Sequence, residues 1–289
     1  MSPMTAESDA SPSGVGETAI GAAMMRARES LRADPLFDDP FAAAFIDAAR
    51  PVFEDGPTPE DDPQLATLEA AFAEAISVRT RFYDEFLLGA AESGCDQVVL
   101  LGAGLDCRAF RLPWPSDVHV FELDMPEVLA FKERVLSRAG ADPRCERVIV
   151  AADLREDWTV ALRDAGFHAS GRTAWVAEGL IPYLADGDAR RLLVSVGKLS
   201  SPRTTLALDQ PSIPEDSLLA RAQAVEAMDD ITSMWKGGLR DDAIAWLRRH
   251  GWQAEAVESA SLAARYGRAI SVMTNGGFVS ATRHVATNP

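Results

Sequence analysis

The sequence predicts an α/β protein: a mostly parallel, seven-stranded sheet covered on both faces, with an N-terminal helical cap. Three observations carry that expectation. After about Gly94, short apolar, β-branched-rich runs alternate with helical stretches. The first run, Gln97-Val-Val-Leu-Leu101, ends abruptly in Gly102-Ala-Gly104. Ahead of Gly94, outside an aperiodic tail and one loop, apolar residues recur at helical spacing.

Met1 to about Gly14 is Ser, Pro, Ala and acidic residues without periodicity, and reads as a disordered tail. From Glu17 to Leu31, Ile20, Ala23, Met24 and Ala27 recur at three-to-four spacing and predict a helix. A short second helix is expected near Asp39-Pro40, with proline in its first turn. The stretch Pro51 to Pro63, rich in Pro, Asp and Glu, reads as an exposed loop. Leu65 to Ala90 reads as a long helix, on which Phe82, Tyr83 and Phe86 follow core spacing. The expected organisation is a tail (1–14), a helical cap (15–93) and an α/β unit (94–289). Its strand candidates are Gln97–Leu101, Val118–Leu123, Arg147–Val150, Thr173–Ala177, Thr204–Leu208, Gln253–Val257 and Phe278–Ala281. Helices are expected between them at Glu127–Arg138, Asp188–Lys198 and Arg240–His250, the last closed by Gly251 as a C-cap.

Composition narrows the function classes. Against 28 Lys and Arg stand 44 Asp and Glu, a net charge of −16 and a pI near 4.7. Such a surface repels phosphates and anionic headgroups, so neither nucleic acid nor membrane is an expected partner. No run approaches the roughly 20 apolar residues of a membrane span. No basic segment precedes an apolar one at the N-terminus, so a cytoplasmic protein is expected. Cys95, Cys107 and Cys145 are widely spaced and far from ligand-spaced histidines, and read as reduced thiols; no metal site is expected.

Ligands bind beyond the carboxyl ends of parallel strands. Gly102 and Gly104 follow the first strand and Asp124 the second; Asp153-Leu154 follows the third, Glu178-Gly179 the fourth and Asp209 the fifth. Glycines let a ligand approach the backbone, and a carboxylate beyond the second strand suits ribose hydroxyls. A dinucleotide loop wants a small sixth residue, under which a helix packs against the pyrophosphate. Here that position is Cys107, followed by Arg108. The pattern favours a nucleoside without phosphates. The row of carboxylates suits a cationic ligand with hydroxyls, and S-adenosylmethionine carries a sulfonium, an ammonium and a ribose diol. The alternatives are an NAD(P)-dependent oxidoreductase and a catalytically silent protein that binds S-adenosylmethionine.

Several stretches in order resemble the leucine carboxyl methyltransferase-like family of actinobacterial type. They are Glu17-Thr-Ala, Met25-Arg-Ala-Arg-Glu29, Asp34-Pro-Leu-Phe-Asp-Asp-Pro40, Val78-Arg-Thr-Arg-Phe-Tyr-Asp84 and Val99-Leu-Leu-Gly-Ala-Gly-Leu-Asp106. Phe121-Glu-Leu-Asp-Met-Pro126, Asp153-Leu154, Ala177-Glu-Gly-Leu-Ile-Pro-Tyr-Leu184, Trp246-Leu-Arg-Arg-His-Gly-Trp252 and Tyr266-Gly-Arg268 complete the set, which spans about 16 to 284. The resemblance implies a class I, Rossmann-like methyltransferase that uses S-adenosyl-L-methionine as methyl donor. It implies that Gly102, Ala103 and Gly104 lie against the methionine moiety and Asp124 holds the ribose. Asp153 and Leu154 would read the adenine. Arg79, or failing it Arg81, would pair with the cofactor carboxylate, with Glu178 near that end. Tyr183 and Glu178 would serve the reacting end, and helices around Thr18 and Arg26 would close over the acceptor.

The expected acceptor is a small molecule, such as a secondary metabolite, methylated on a carboxylate or hydroxyl oxygen. A carboxylate is already ionised at pH 7 and needs no general base, whereas a phenol with a pKa of about 10 does. None of His119, His168, His250 and His284 falls in a motif, which leans towards the carboxylate. Oligomeric state is not legible.

Overall fold

The computed structural model describes residues 15–49, 62–209, 222–225, 228–239, 242–268 and 277–284. The expected tail over 1–14 and nearly all of the expected loop over 51–63 lie outside them. Seven strands form one sheet: β1 (Gln97–Leu101), β2 (His119–Asp124), β3 (Glu146–Ala151), β4 (Thr173–Ala177), β5 (Thr205–Asp209), β6 (Trp252–Glu258) and β7 (Gly277–Arg283). Their order is β3-β2-β1-β4-β5-β7-β6. Strands β1 to β5 pair in parallel, while β7 runs antiparallel to both β5 and β6. Each strand begins and ends within two residues of its sequence expectation. Among the described residues no helix is long and apolar enough to cross a membrane.

Side-chain alternation along the strands sorts the core into two layers. Val98 and Leu100 of β1, Val120 of β2 and Ala174 and Val176 of β4 join one apolar cluster. Val99, Leu101, Phe121, Leu123, Trp175 and Ala177, at the alternate positions, join the other. The first layer is covered by the cap: α1 (Val15–Ser30), α2 (Ala42–Ala49) and α3 (Pro63–Glu92), with α5 (Pro126–Arg138). Ile20, Phe45, Val78 and Leu87 of these cap helices are wholly buried in the same cluster as β1. The second layer is covered by α6 (Trp158–Asp164), α7 (Asp186–Lys198) and α9 (Ala243–Arg249). Between these lie α4 (Arg108–Arg111) and α8 (Asp229–Thr232), and α10 (Ser259–Arg265) follows β6.

Local chemistry explains the element ends. Asp62 caps α3, its carboxylate accepting from Gln64 N–H at 2.8 Å, with Pro63 in the first turn, where the missing N–H costs nothing. The second helix starts at Ala42, two residues after the expected Pro40. Asp39 holds the residues before it in a turn, accepting from Phe41 N–H at 3.2 Å while Arg26 grips its other oxygen at 2.8 Å. The expected glycine closure after α9 is present: Gly251 has φ +82°, and a Cβ there would stand 3.0 Å from Arg283.

The chain builds β1, β2 and β3 on one side, then returns past β1 to lay down β4 and β5 on the other. The loops after β1 and β4 therefore diverge at their carboxyl ends and leave a crevice between them. By alternation, Asp124, Glu178 and Asp209 share the parity of Val120, Val176 and Ala207, the residues facing the cap.

Candidate active site

The glycine loop is shaped by its backbone. Gly102 has φ +69° and Gly104 φ +45°, left-handed values that glycine adopts without strain. The Ala103 N–H donates to Leu123 O at 2.9 Å, stitching the loop to the end of β2. The Gly104 N–H donates to Asp124 Oδ2 at 2.6 Å, and Met125 N–H to Oδ1 at 2.7 Å. Asp124 does not cap α5, which has no side-chain cap. Each of its oxygens accepts one bond and retains a lone pair, so a half-buried carboxylate is left for a hydroxyl donor. The helix after the loop, α4, is only four residues long. It offers no extended dipole for a pyrophosphate.

Helix α1 lies over this loop. A Cβ at Gly104 would meet Ala19 Cβ at 3.4 Å, and Arg26 donates to Leu105 O at 2.7 Å. Arg26 thus holds α1, the glycine loop and the Asp39 turn together.

Beside the loop runs a chain of alternating charges. Arg108 donates from Nε to Asp84 at 2.7 Å, from Nη1 to Glu178 Oε2 at 2.7 Å and to Asp106, and from Nη2 to Thr80 O at 3.2 Å. Arg111 holds both oxygens of Asp84 at 2.6 Å. Arg79 closes the outer end, Nε to Glu178 Oε1 at 2.9 Å. Side-chain exposure rises from 3% at Arg108 through 17% at Glu178 to 23% at Arg79, so Arg79 is the end that a ligand can reach. Its guanidinium lies against Gly179, where an added Cβ would stand 3.5 Å from Nη1. Gly179 has φ +61°, and its N–H donates to Asp209.

The structure thus brings Gly102, Ala103, Gly104, Asp124, Glu178 and Arg79 to one crevice. Arg81, the alternative to Arg79, faces away to Glu85 at 3.0 Å and to Leu36 O. Asp153 follows β3, where the Ala152 N–H is tied to Asp124 O at 2.9 Å. Its carboxylate is gripped by Arg155, at 2.6 Å from Nη2, and Leu154 beside it is buried. Tyr183 sits partly exposed in a 3-10 turn, Ile181–Tyr183, that starts three residues after Glu178. Thr18 lies on α1.

Two members of the site escaped the sequence reading. Arg108 appeared there only as a residue beyond the loop. Tyr83 was read as core; it is fully buried, but its hydroxyl donates to Asp209 Oδ1 at 3.0 Å. The histidines lie elsewhere. His119 opens β2, His168 precedes β4, His250 precedes β6 and His284 follows the antiparallel β7. All four therefore mark the amino edge of the parallel strands, opposite the crevice.

Burial and pairing set the ionisation of these groups. Burial alone would lift the Glu178 carboxyl, but Arg108 and then Arg79 outweigh it and hold it below its usual range. Asp209 is raised by burial, with Arg79 opposing only in part. Asp124 is also raised from its ordinary 3.8 by burial, against the N–H bonds of Gly104 and Met125. We propose that Asp124 accepts from a ligand hydroxyl; such a donor favours the ionised form, so that binding would weaken as pH falls through this raised value. We expect S-adenosylhomocysteine affinity to begin falling at a pH above 3.8. Asp124→Asn flattens the profile; matching profiles for the two proteins contradict the assignment.

The family model described as leucine carboxyl methyltransferase matches residues 19–197. That span runs from α1 to α7 and holds every candidate cofactor residue. The chain belongs to this family. A protein of Parafrankia sp., provisionally named an S-adenosyl-L-methionine-dependent methyltransferase, is 45% identical over 94% of this chain and 88% of its own length. A Streptomyces coelicolor protein of the same provisional name is 41% identical over 97% of this chain and 100% of its own. A crystal structure from Bordetella parapertussis superposes with a TM-score of 0.51 at 14% identity, covering 97% of this chain and 100% of that one; it shows the fold alone. The family gives the reaction class, methyl transfer, with S-adenosylmethionine as the donor.

Proposed function

We propose that this methyltransferase transfers its methyl group to an oxygen of a small-molecule acceptor, and that the acceptor group is a carboxylate, giving a methyl ester. The placement of the histidines carries this reading. With all four at the far edge of the sheet, Glu178 committed to two arginines and Asp209 to Tyr83 and Gly179, no histidine or uncommitted carboxylate among the described residues stands beside Tyr183 as a base for a hydroxyl. A carboxylate acceptor needs none.

The residues fit the cofactor. The left-handed glycine loop leaves backbone room for the methionine part, Asp124 keeps lone pairs for the ribose, and the outer face of Arg79 meets a carboxylate. Asp153 and Leu154 supply the adenine end. Bound there, S-adenosylmethionine supplies a methyl carbon on a positive sulfur, which keeps the bonding electron pair as the acceptor oxygen takes the carbon. Ala103 and Gly104 hold the loop in shape, α1 covers it and excludes water, Tyr183 orients the acceptor, and Glu178 fixes Arg79 at the cofactor end. Dinucleotide-dependent oxidoreduction finds no support in the short α4 or in Cys107, which is buried where the small residue would stand.

Arg79→Ala is expected to weaken S-adenosylhomocysteine about fivefold, roughly 1 kcal/mol, and to leave adenosine binding unchanged. Equal losses for both ligands by calorimetry count against the carboxylate contact. The acceptor group is tested by supplying methyl-labelled donor with panels of carboxylic and phenolic acids. Products whose label is released by mild alkali are esters, as expected; alkali-stable ethers alone overturn the carboxylate reading.

A further inference from the structure

Beyond the two clusters that sandwich the sheet there is a third, smaller apolar cluster. One side of it is the N-terminal half of α3, through Leu68, Phe72 and Ala75. These residues share a stripe with Arg79. The seven residues from Phe72 to Arg79 make about two turns, within roughly 20°, and place them about 10 Å apart along one face. The facing side is Val225, Met228 and Trp235, from the segment between β5 and β6. Leu68 and Ala222 are buried in the cluster, whereas Phe72, Ala75, Met228 and Trp235 keep exposed surface. A stripe this apolar ordinarily seals into a core. This one stays partly open.

The facing side is tethered next to the site. Lys236 N–H donates to Pro182 O at 2.8 Å and Gly238 N–H to Leu184 O at 3.0 Å, on either side of Tyr183. Only glycine permits that approach: at φ +60°, a Cβ on Gly238 would stand 2.9 Å from Ile181 O. The cluster is therefore bounded by Arg79 through α3 and by the Tyr183 turn through these bonds. Both boundaries belong to the crevice. Its side chains suit varied apolar shapes, with rigid aromatic faces at Phe72 and Trp235 and an adaptable thioether at Met228.

We infer that this cluster is the acceptor compartment, and that the acceptor is a carboxylic acid with an extended alkyl or aromatic body. The body lies between α3 and Trp235, and the head reaches the Tyr183 turn. This rests on the methyl-acceptor reading above. The test is calorimetry on the full chain saturated with S-adenosylhomocysteine, titrated with acetate, butanoate, octanoate and 2-naphthoate. Affinity is expected to rise up to about fourfold per methylene as the chain lengthens. Phe72→Ala and Trp235→Ala each weaken octanoate at least tenfold and leave S-adenosylhomocysteine affinity unchanged, which also reports that they fold. Affinity independent of chain length, no octanoate binding, or equal octanoate binding in both variants overturns the compartment. Failure of the unaltered chain to bind S-adenosylhomocysteine strikes the methyl-transfer reading itself.

Discussion

Replacing Arg108 with leucine is expected to destabilise the protein by about 3–5 kcal/mol at pH 7, the usual cost of stranding buried charge. Arg108 uses all three guanidinium nitrogens, on Asp84, Asp106, Glu178 and Thr80 O, at 3% side-chain exposure. Arg111 remains to hold Asp84, and Arg79 to hold Glu178, but Asp106 loses its ion-pair partner. Lysine at 108 recovers only part of the loss, because a single ammonium cannot make that fork. The pH dependence has a definite sign. Against burial, Arg108 holds the Asp106 carboxyl down at about 2, so its contribution is present above the ordinary 3.8 and fades as pH falls towards 2. In the leucine variant the stranded carboxylates take up protons more readily, and the deficit against the native chain shrinks in acid. Urea unfolding at pH 7 and at about pH 3, inside that window, measures both. A deficit below about 1 kcal/mol at pH 7, within the range of an exposed pair, would contradict the network's structural weight.

Asp124→Ala is expected to weaken S-adenosylhomocysteine at least tenfold, about 1.4 kcal/mol, the lower end for lost bonds to a charged group. Two effects add in the same direction. In the proposed site the ribose hydroxyls would lose their acceptor, and the Gly104 N–H, held at 2.6 Å, loses the bond that sets the loop. Asp124→Asn separates them, since an amide oxygen can still accept from Gly104 while the charge is gone. Unchanged affinity in a folded alanine variant refutes the role.

Sheet strands were legible because strands buried on both faces read as continuous apolar runs, bounded here by Gly102, Asp124 and Glu178. Direction was not: nothing local in Phe278–Ala281 distinguishes antiparallel β7 from its parallel neighbours. Gly102, Asp124 and Glu178 could be placed at one sheet edge from the sequence because each stands at the end of a strand, whereas Arg79 comes from α3. Arg108 and Tyr83 were not legible, since their meaning lies in partners far along the chain. Arg108 meets Asp84 and Glu178 at separations of 24 and 70 residues, and Tyr83 meets Asp209 at 126. The start of α2 shifted for a similar reason, because Arg26 on another helix fixes the Asp39 turn ahead of it.

The most direct test of the crevice as an adenosyl site is calorimetric titration of the purified chain with S-adenosylhomocysteine, with NADH in parallel. Micromolar binding of the first and none of the second is the expected result. NADH binding without S-adenosylhomocysteine binding, in the presence or absence of carboxylic acid acceptors, would contradict it.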